Sequence, residues 1–158
     1  MKRSILAAIM GAGFLAACGP DEPVTVPFEA VGGATSQMDV GALLNAARAA
    51  NGLAPLRANA KLTAAARAHA QDMARTGGFS HVGSDRSRPS DRVRAQGYGY
   101  CYVAENIAKG QETPERVMQS WMSSAGHRKN NLSPKAAEYG VARAAGDYWV
   151  LVFGRSGC

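Results

Sequence analysis

The C-terminal stretch constrains the fold more than any other part of the chain. "EYGVARA" (138–144) and "YWVLVFG" (148–154) are β-prone runs separated by Ala145, Gly146 and Asp147. That combination predicts an antiparallel hairpin with a tight connection. The segments before it read as helices. Residues 39–51 place Val40, Leu43, Leu44, Ala47 and Ala50 on one face, and Gly52 follows as a stop. A second helix is expected from about Lys61 to Thr76, with the stripe Leu62, Ala65, Ala66, His69 and Met73, ended by Gly77-Gly78. "PSDRVRAQGY" predicts a short helix starting near Ser90. Thr113 as N-cap, Pro114 at the first helical position and Glu115 beside the positive dipole end open another. Its apolar face is Val117, Met118, Trp121 and Met122, and Gly126 is its expected end. A short strand is expected around Tyr98 to Val103. Helices first and a hairpin last argue for helices packed on an antiparallel sheet, an α+β fold.

The start of the chain is a processing signal. Lys2 and Arg3 precede a short apolar run, Ile5 to Leu15, well short of the roughly 20 residues a membrane-spanning helix needs. Leu15-Ala16-Ala17-Cys18 resembles the lipobox of bacterial lipoproteins. The resemblance implies that residues 1–17 are a signal peptide and that Cys18 is lipidated and becomes the first mature residue. It further implies a protein exported to the bacterial cell envelope and membrane-anchored. Gly19 after the cysteine, in place of aspartate, points to the outer membrane. Residues 18–38 are then anchor and flexible tether, rich in proline and glycine and without periodicity. Residues 39–158, about 120 residues, form one domain by length.

Loss of Lys2 and Arg3 lowers the formal charge from +6 to +4. Arg86, Arg88, Arg92 and Arg94 cluster, but no aromatic residues interleave with them, so no nucleic-acid partner is expected. The cluster reads as a solvated face or a contact for anionic lipid head groups. With Cys18 acylated, Cys101 and Cys158 remain as an even pair in an exported chain. They are expected to form a disulfide, worth roughly 4 kcal/mol in the chain-entropy model, the alternative being two free thiols.

Signatures of nucleophile elbows, zinc-protease helices and phosphate-binding glycine loops are absent from the sequence. Three histidines carry the remaining candidates. His69 lies on an apolar helical stripe and reads as a packed core residue. His81 follows "GGFS" in a polar loop, and His127 follows Gly126. Glu105 sits in the apolar run "YCYVAENIAKG" (100–110) and needs a partner if buried. His81, Glu105 and His127 are candidates for a hydrogen-bonded cluster or for a His-His-Glu metal site. Asp85 is a candidate to orient His81.

In order along the chain, "GFSH" (78–81), "AENIA" (104–108), "WMSSAGHRKNNL" (121–132), "EYGVARA" and "YWVLVFG" together resemble the CAP superfamily of cysteine-rich secretory proteins, antigen 5 and pathogenesis-related proteins. The likeness spans about residues 40–154. It implies a three-layer α-β-α sandwich with a central antiparallel sheet, and a cleft lined by His81, Glu105 and His127. Several family members bind a divalent metal such as zinc there. Ser124 stands where eukaryotic members carry a further glutamate, and Val150 and Leu151 replace polar strand residues. Asn131 stands where an aliphatic residue is usual. The expected function is an envelope-anchored monomer binding a small or lipid-like ligand or a partner through this cleft. The alternatives are a metal-dependent hydrolase of peptide or envelope material and a structural module with a vestigial cleft.

Overall fold

A computed structural model describes residues 40–157; the signal segment, Cys18, the tether and Cys158 lie outside the described residues. In chain order, helix α1 covers residues 40–49 and a two-residue strand β1 is Arg57–Ala58. Helices α2 (Ala60–Thr76) and α3 (Pro89–Ala95) follow, then strand β2 (Tyr102–Lys109). Helices α4 (Pro114–Ser123) and α5 (Ala125–Asn131) precede strands β3 (Glu138–Ala144) and β4 (Tyr148–Arg155). Local chemistry accounts for the boundaries. The Asn59 side chain accepts from the N–H groups of Lys61 and Leu62 at the start of α2. Gly77, at φ +73°, ends that helix with its N–H on the Met73 carbonyl. Thr113 caps α4 through the Arg116 N–H.

The sheet order is β1-β3-β4-β2. The expected hairpin forms, with Ala144 opposite Tyr148. Gly146 (φ +75°) and Asp147 (φ +59°) supply the left-handed residues of its turn. Strand β2 pairs antiparallel along the whole of β4, and β1 adds to β3 in parallel. Successive residues of β4 point to opposite faces. Trp149, Leu151 and Phe153 pack with Val40 and Leu44 of α1 and Val117, Met118 and Trp121 of α4. Tyr148, Val150 and Val152 pack with Leu62, Ala66 and Met73 of α2 and Val93 of α3. The fold is therefore the expected three-layer α-β-α sandwich. Both faces of β4 are covered, which is why its sequence is almost continuously apolar.

Three features differ from the sequence reading, two of them boundaries. The strand expected at 98–103 lies at 102–109, because the polar pair Glu105-Asn106 interrupts an alternation that otherwise runs through it. The Trp121 helix stops at Ser123, where Ser124 becomes extended (φ −95°, ψ 124°), and α5 starts afresh. His127 is therefore inside a helix, not beyond one. Arg48 is the third difference. It is buried on α1 and donates to the carbonyls of Ala54, Asn131 and Ser133, tying α1 to the end of α5. Cys101 is not free, and its expected partner Cys158 lies outside the described residues.

Candidate functional site

Strand β2 is at the edge of the sheet, beyond β4. Strand alternation turns Glu105 toward α2 and α3 and turns the next residue, Asn106, toward α5. One dipeptide thus organises both sides of the edge.

The Glu105 side chain is 1% exposed, a position where an ionised carboxylate needs compensation. Its Oε2 accepts from Arg92 Nη2 at 2.7 Å, and its Oε1 is paired with His81 Nδ1 at 2.8 Å. Arg92 is itself buried on α3. It also donates to the His81 carbonyl and, through Nη1, to the carbonyl and hydroxyl of Ser87. The guanidinium therefore clamps the carboxylate and the loop carrying His81 at once, a geometry suited to the fork of arginine. His69 stands behind the carboxylate, with Nε2 3.9 Å from Glu105 Oε1 and 2.8 Å from the Ser80 carbonyl. Burial pushes the His69 pKa down against the attraction of Glu105, which favours the neutral ring.

On the other side, Asn106 donates to the His127 carbonyl and to Asn131 Oδ1. Asn130 donates to the Glu105 carbonyl and to Asn106 Oδ1. The Asn130 amide thereby satisfies the Glu105 carbonyl, a backbone group on the edge strand that water or another strand would otherwise take. Asn131 is completely buried; its amide reaches the sulfurs of Met118 and Met122. Its oxygen completes the network, which is what an aliphatic residue could not do. His127 is partly buried, and burial followed by the charge of nearby His81 lowers its pKa. The side chain of His81 is half exposed.

The structure pairs His81 with Glu105, and His127 lies near enough to His81 to feel its charge. It corrects two readings. Asp85 does not orient His81: its Oδ1 accepts from the Ser87 N–H and closes the turn. Arg92 does not belong to a solvated face. Its neighbours Arg86, Arg88 and Arg94 are exposed, whereas Arg92 is 8% exposed and is the main partner of Glu105. The signal that could have found it is the demand of a buried carboxylate for a fixed cation, with "SDRVR" supplying one beside the buried Val93.

A metal held by His81, Glu105 and His127 does not fit this geometry. Both Glu105 oxygens are engaged, one by a permanent cation, and Nδ1 of His81 is turned onto the carboxylate. Among the described residues no group of three or more His, Cys, Asp or Glu side chains is disposed to hold a metal ion.

Comparison with known proteins gives a consistent picture. The family model described as the cysteine-rich secretory protein family, CAP, matches residues 42–153. The uncharacterized protein YkwD of Bacillus subtilis (strain 168) is 42% identical over 112 residues, covering 70% of this chain and 44% of that protein. The uncharacterized membrane protein YlbC of the same organism is 30% identical over 107 residues, covering 68% and 31%. The chain thus spans less than half the length of these curated relatives. Among solved structures, an extracellular protein containing an SCP domain from Bacillus anthracis superposes with TM-score 0.78 at 25% identity, covering 87% of this chain and 45% of that one. An outer surface protein of Borrelia burgdorferi superposes with TM-score 0.72 at 19% identity, covering 77% and 96%, a likeness of fold alone.

Proposed function

The chain belongs to the cysteine-rich secretory protein (CAP) family, and on that premise we propose that it is an exported envelope domain whose His81–Glu105–His127 cleft binds an amphipathic, lipid-like ligand. One observation carries the reading. The large apolar side chains left exposed among the described residues are Phe79 and Val82, 51% and 50% accessible, and they flank His81 in one loop. Exposed apolar groups beside convergent polar ones are the mark of a binding surface. His81 spends Nδ1 on Glu105, which leaves Nε2 as the group available to a ligand's polar head. The neutral tendency of His127 suits it to hydrogen bonding there.

The serines of the loop do not support nucleophilic catalysis. Ser80 Oγ accepts from the Val82 N–H, and Ser84 Oγ donates to Asp72, so neither is seated against an imidazole. Binding is the better reading. The extracellular Bacillus anthracis protein supports export of this chain, the lipobox-like Leu15–Cys18 supports anchoring through an acylated Cys18, and Gly19 after it favours the outer membrane. A Cys101–Cys158 disulfide would tie the chain end to the start of β2.

Isothermal titration of the full chain with monomeric lysophospholipids tests the proposal. Phe79→Ser and His81→Ala are each expected to weaken binding about tenfold or more, equivalent to about 1.4 kcal/mol. Unchanged affinity in both variants, with native circular dichroism, overturns it.

A further inference from the structure

Helix α1 carries a buried cation that has no counter-ion among the described residues. Arg48 is 2% exposed, and none of the ion pairs among those residues includes it. Burial lowers its pKa, with no carboxylate opposing the shift. Its Nε donates to the Ala54 carbonyl, and its Nη1 donates to the carbonyls of Asn131 and Ser133. These bonds fix the guanidinium but leave its charge uncancelled, whereas buried ions are ordinarily paired.

The remaining nitrogen, Nη2, has no acceptor among the described residues. The unpartnered side-chain atoms sealed from solvent there are His69 Nδ1 and Gln111 Oε1, so Nη2 of Arg48 keeps an open path outward. Nη2 shares the Nε edge of the planar guanidinium, and that edge is turned to Ala54. Ala54 belongs to the wall of a groove of about 410 Å³, which Arg48, Arg57 and Arg155 line together with Leu53 and Pro134. The open edge of Arg48 therefore faces a groove within the size range of small-ligand sites.

No carboxylate lines this groove. Glu138, 3.8 Å from Arg57 Nη2, is already held by Tyr98 and Asn59. Arg155 is anchored through Nε and Nη2 to the carbonyls of Lys135 and Pro134. Three guanidinium groups, the innermost fixed before any ligand arrives, repel a cation and offer a neutral molecule no charge to cancel. A phosphate monoester brings close to two negative charges and three acceptor oxygens, which suit several guanidinium forks better than the single charge of a carboxylate.

We propose that this groove is a phosphate-binding site, in which Arg48 Nη2 at the base and the exposed Arg57 and Arg155 at the rim donate to the phosphate of a soluble ester or a lipid head group. It shares no lining residue with the His81–His127 cleft.

The test is a titration of the full chain at low ionic strength with inorganic phosphate and glycerol 3-phosphate, followed at the Arg48 Nε–H in ¹⁵N–¹H correlation spectra. Acetate and methylammonium at matched ionic strength are the controls. A saturable shift with a phosphate compound, tighter than that with acetate and absent with methylammonium, is expected. Arg57→Gln removes an exposed rim donor, and Ala54→Glu places a carboxylate in the wall from an exposed position. Each is expected to weaken binding about tenfold or more. His81→Ala is expected to leave it unchanged. Vesicles of phosphatidylcholine containing phosphatidic acid separate the two sources. Displacement of bound glycerol 3-phosphate assigns the site to lipid head groups, and no displacement assigns it to soluble esters. No saturable shift with either phosphate compound, or binding no tighter than that of acetate, overturns the proposal. So does affinity unchanged in folded Arg57→Gln and Ala54→Glu, or lost in folded His81→Ala.

Discussion

Replacing Arg92 by methionine removes the guanidinium while keeping much of its stem volume. The buried Glu105 carboxylate would then have only His81 at hydrogen-bond distance. Unit charges about 4 Å apart attract by roughly 4 kcal/mol at an effective dielectric near 20. The 2.7 Å contact between Arg92 Nη2 and Glu105 Oε2 is of that order. Three further bonds vanish with it, to the Ser87 carbonyl, the Ser87 hydroxyl and the His81 carbonyl, each worth about 1 kcal/mol net. Against this, the variant no longer desolvates a guanidinium. Breaking a buried pair by deleting one partner typically leaves a net loss of about 3–5 kcal/mol, and that loss is expected here. Urea unfolding followed by fluorescence of the buried Trp121 and Trp149 would measure it. Adding Glu105→Gln to Arg92→Met should recover most of the loss, giving a coupling energy of about 2 kcal/mol or more. A deficit below about 1 kcal/mol, or one that Glu105→Gln does not relieve, would refute the view that Arg92 is the principal counter-charge.

Two other perturbations probe the frame. A Cβ at Gly140 would overlap the Thr63 amide nitrogen and the Leu62 carbonyl carbon, so Gly140→Ala must push α2 off β3. A loss of about 3 kcal/mol is expected by the same unfolding assay, and less than about 1 kcal/mol would show the two layers are not in firm contact. Stability should also respond to pH through His69 and His127, both lowered from 6.5 chiefly by burial. The unfolded chain binds more protons than the folded one between the folded and unfolded pKa values. The contribution is therefore complete above pH 6.5 and is lost as pH falls below it, by up to one proton per group. His127→Gln should flatten that slope; an unaltered slope would exclude His127 as a contributor.

Much of this protein is written in local pattern. The hairpin at 138–154, the stripe of α2 with Gly77 beyond it and the Thr113-Pro114 start of α4 follow from periodicity and capping, which act over a few residues. The helix-then-hairpin order already implied helices on a sheet, and the ordered motifs around His81, Glu105 and His127 already marked the candidate cleft. The two-residue β1 was too short to carry any pattern, and at the end of α4 Gly126 offered a stronger stop signal than Ser124, where the chain turns extended. The identity of the partners was beyond the sequence for a different reason. Arg92 looks like its exposed neighbours Arg88 and Arg94 until α3 packs against β2 and removes it, alone of the three, from water. Arg48 is likewise an ordinary helical arginine until the end of α5 closes over it. Asp85 shares a loop with His81, yet the turn uses its carboxylate for the Ser87 amide. Burial and long-range pairing depend on which elements meet, so chemistry-bearing residue types are readable from the chain, while their roles arise only when tertiary packing decides which charges lose their water.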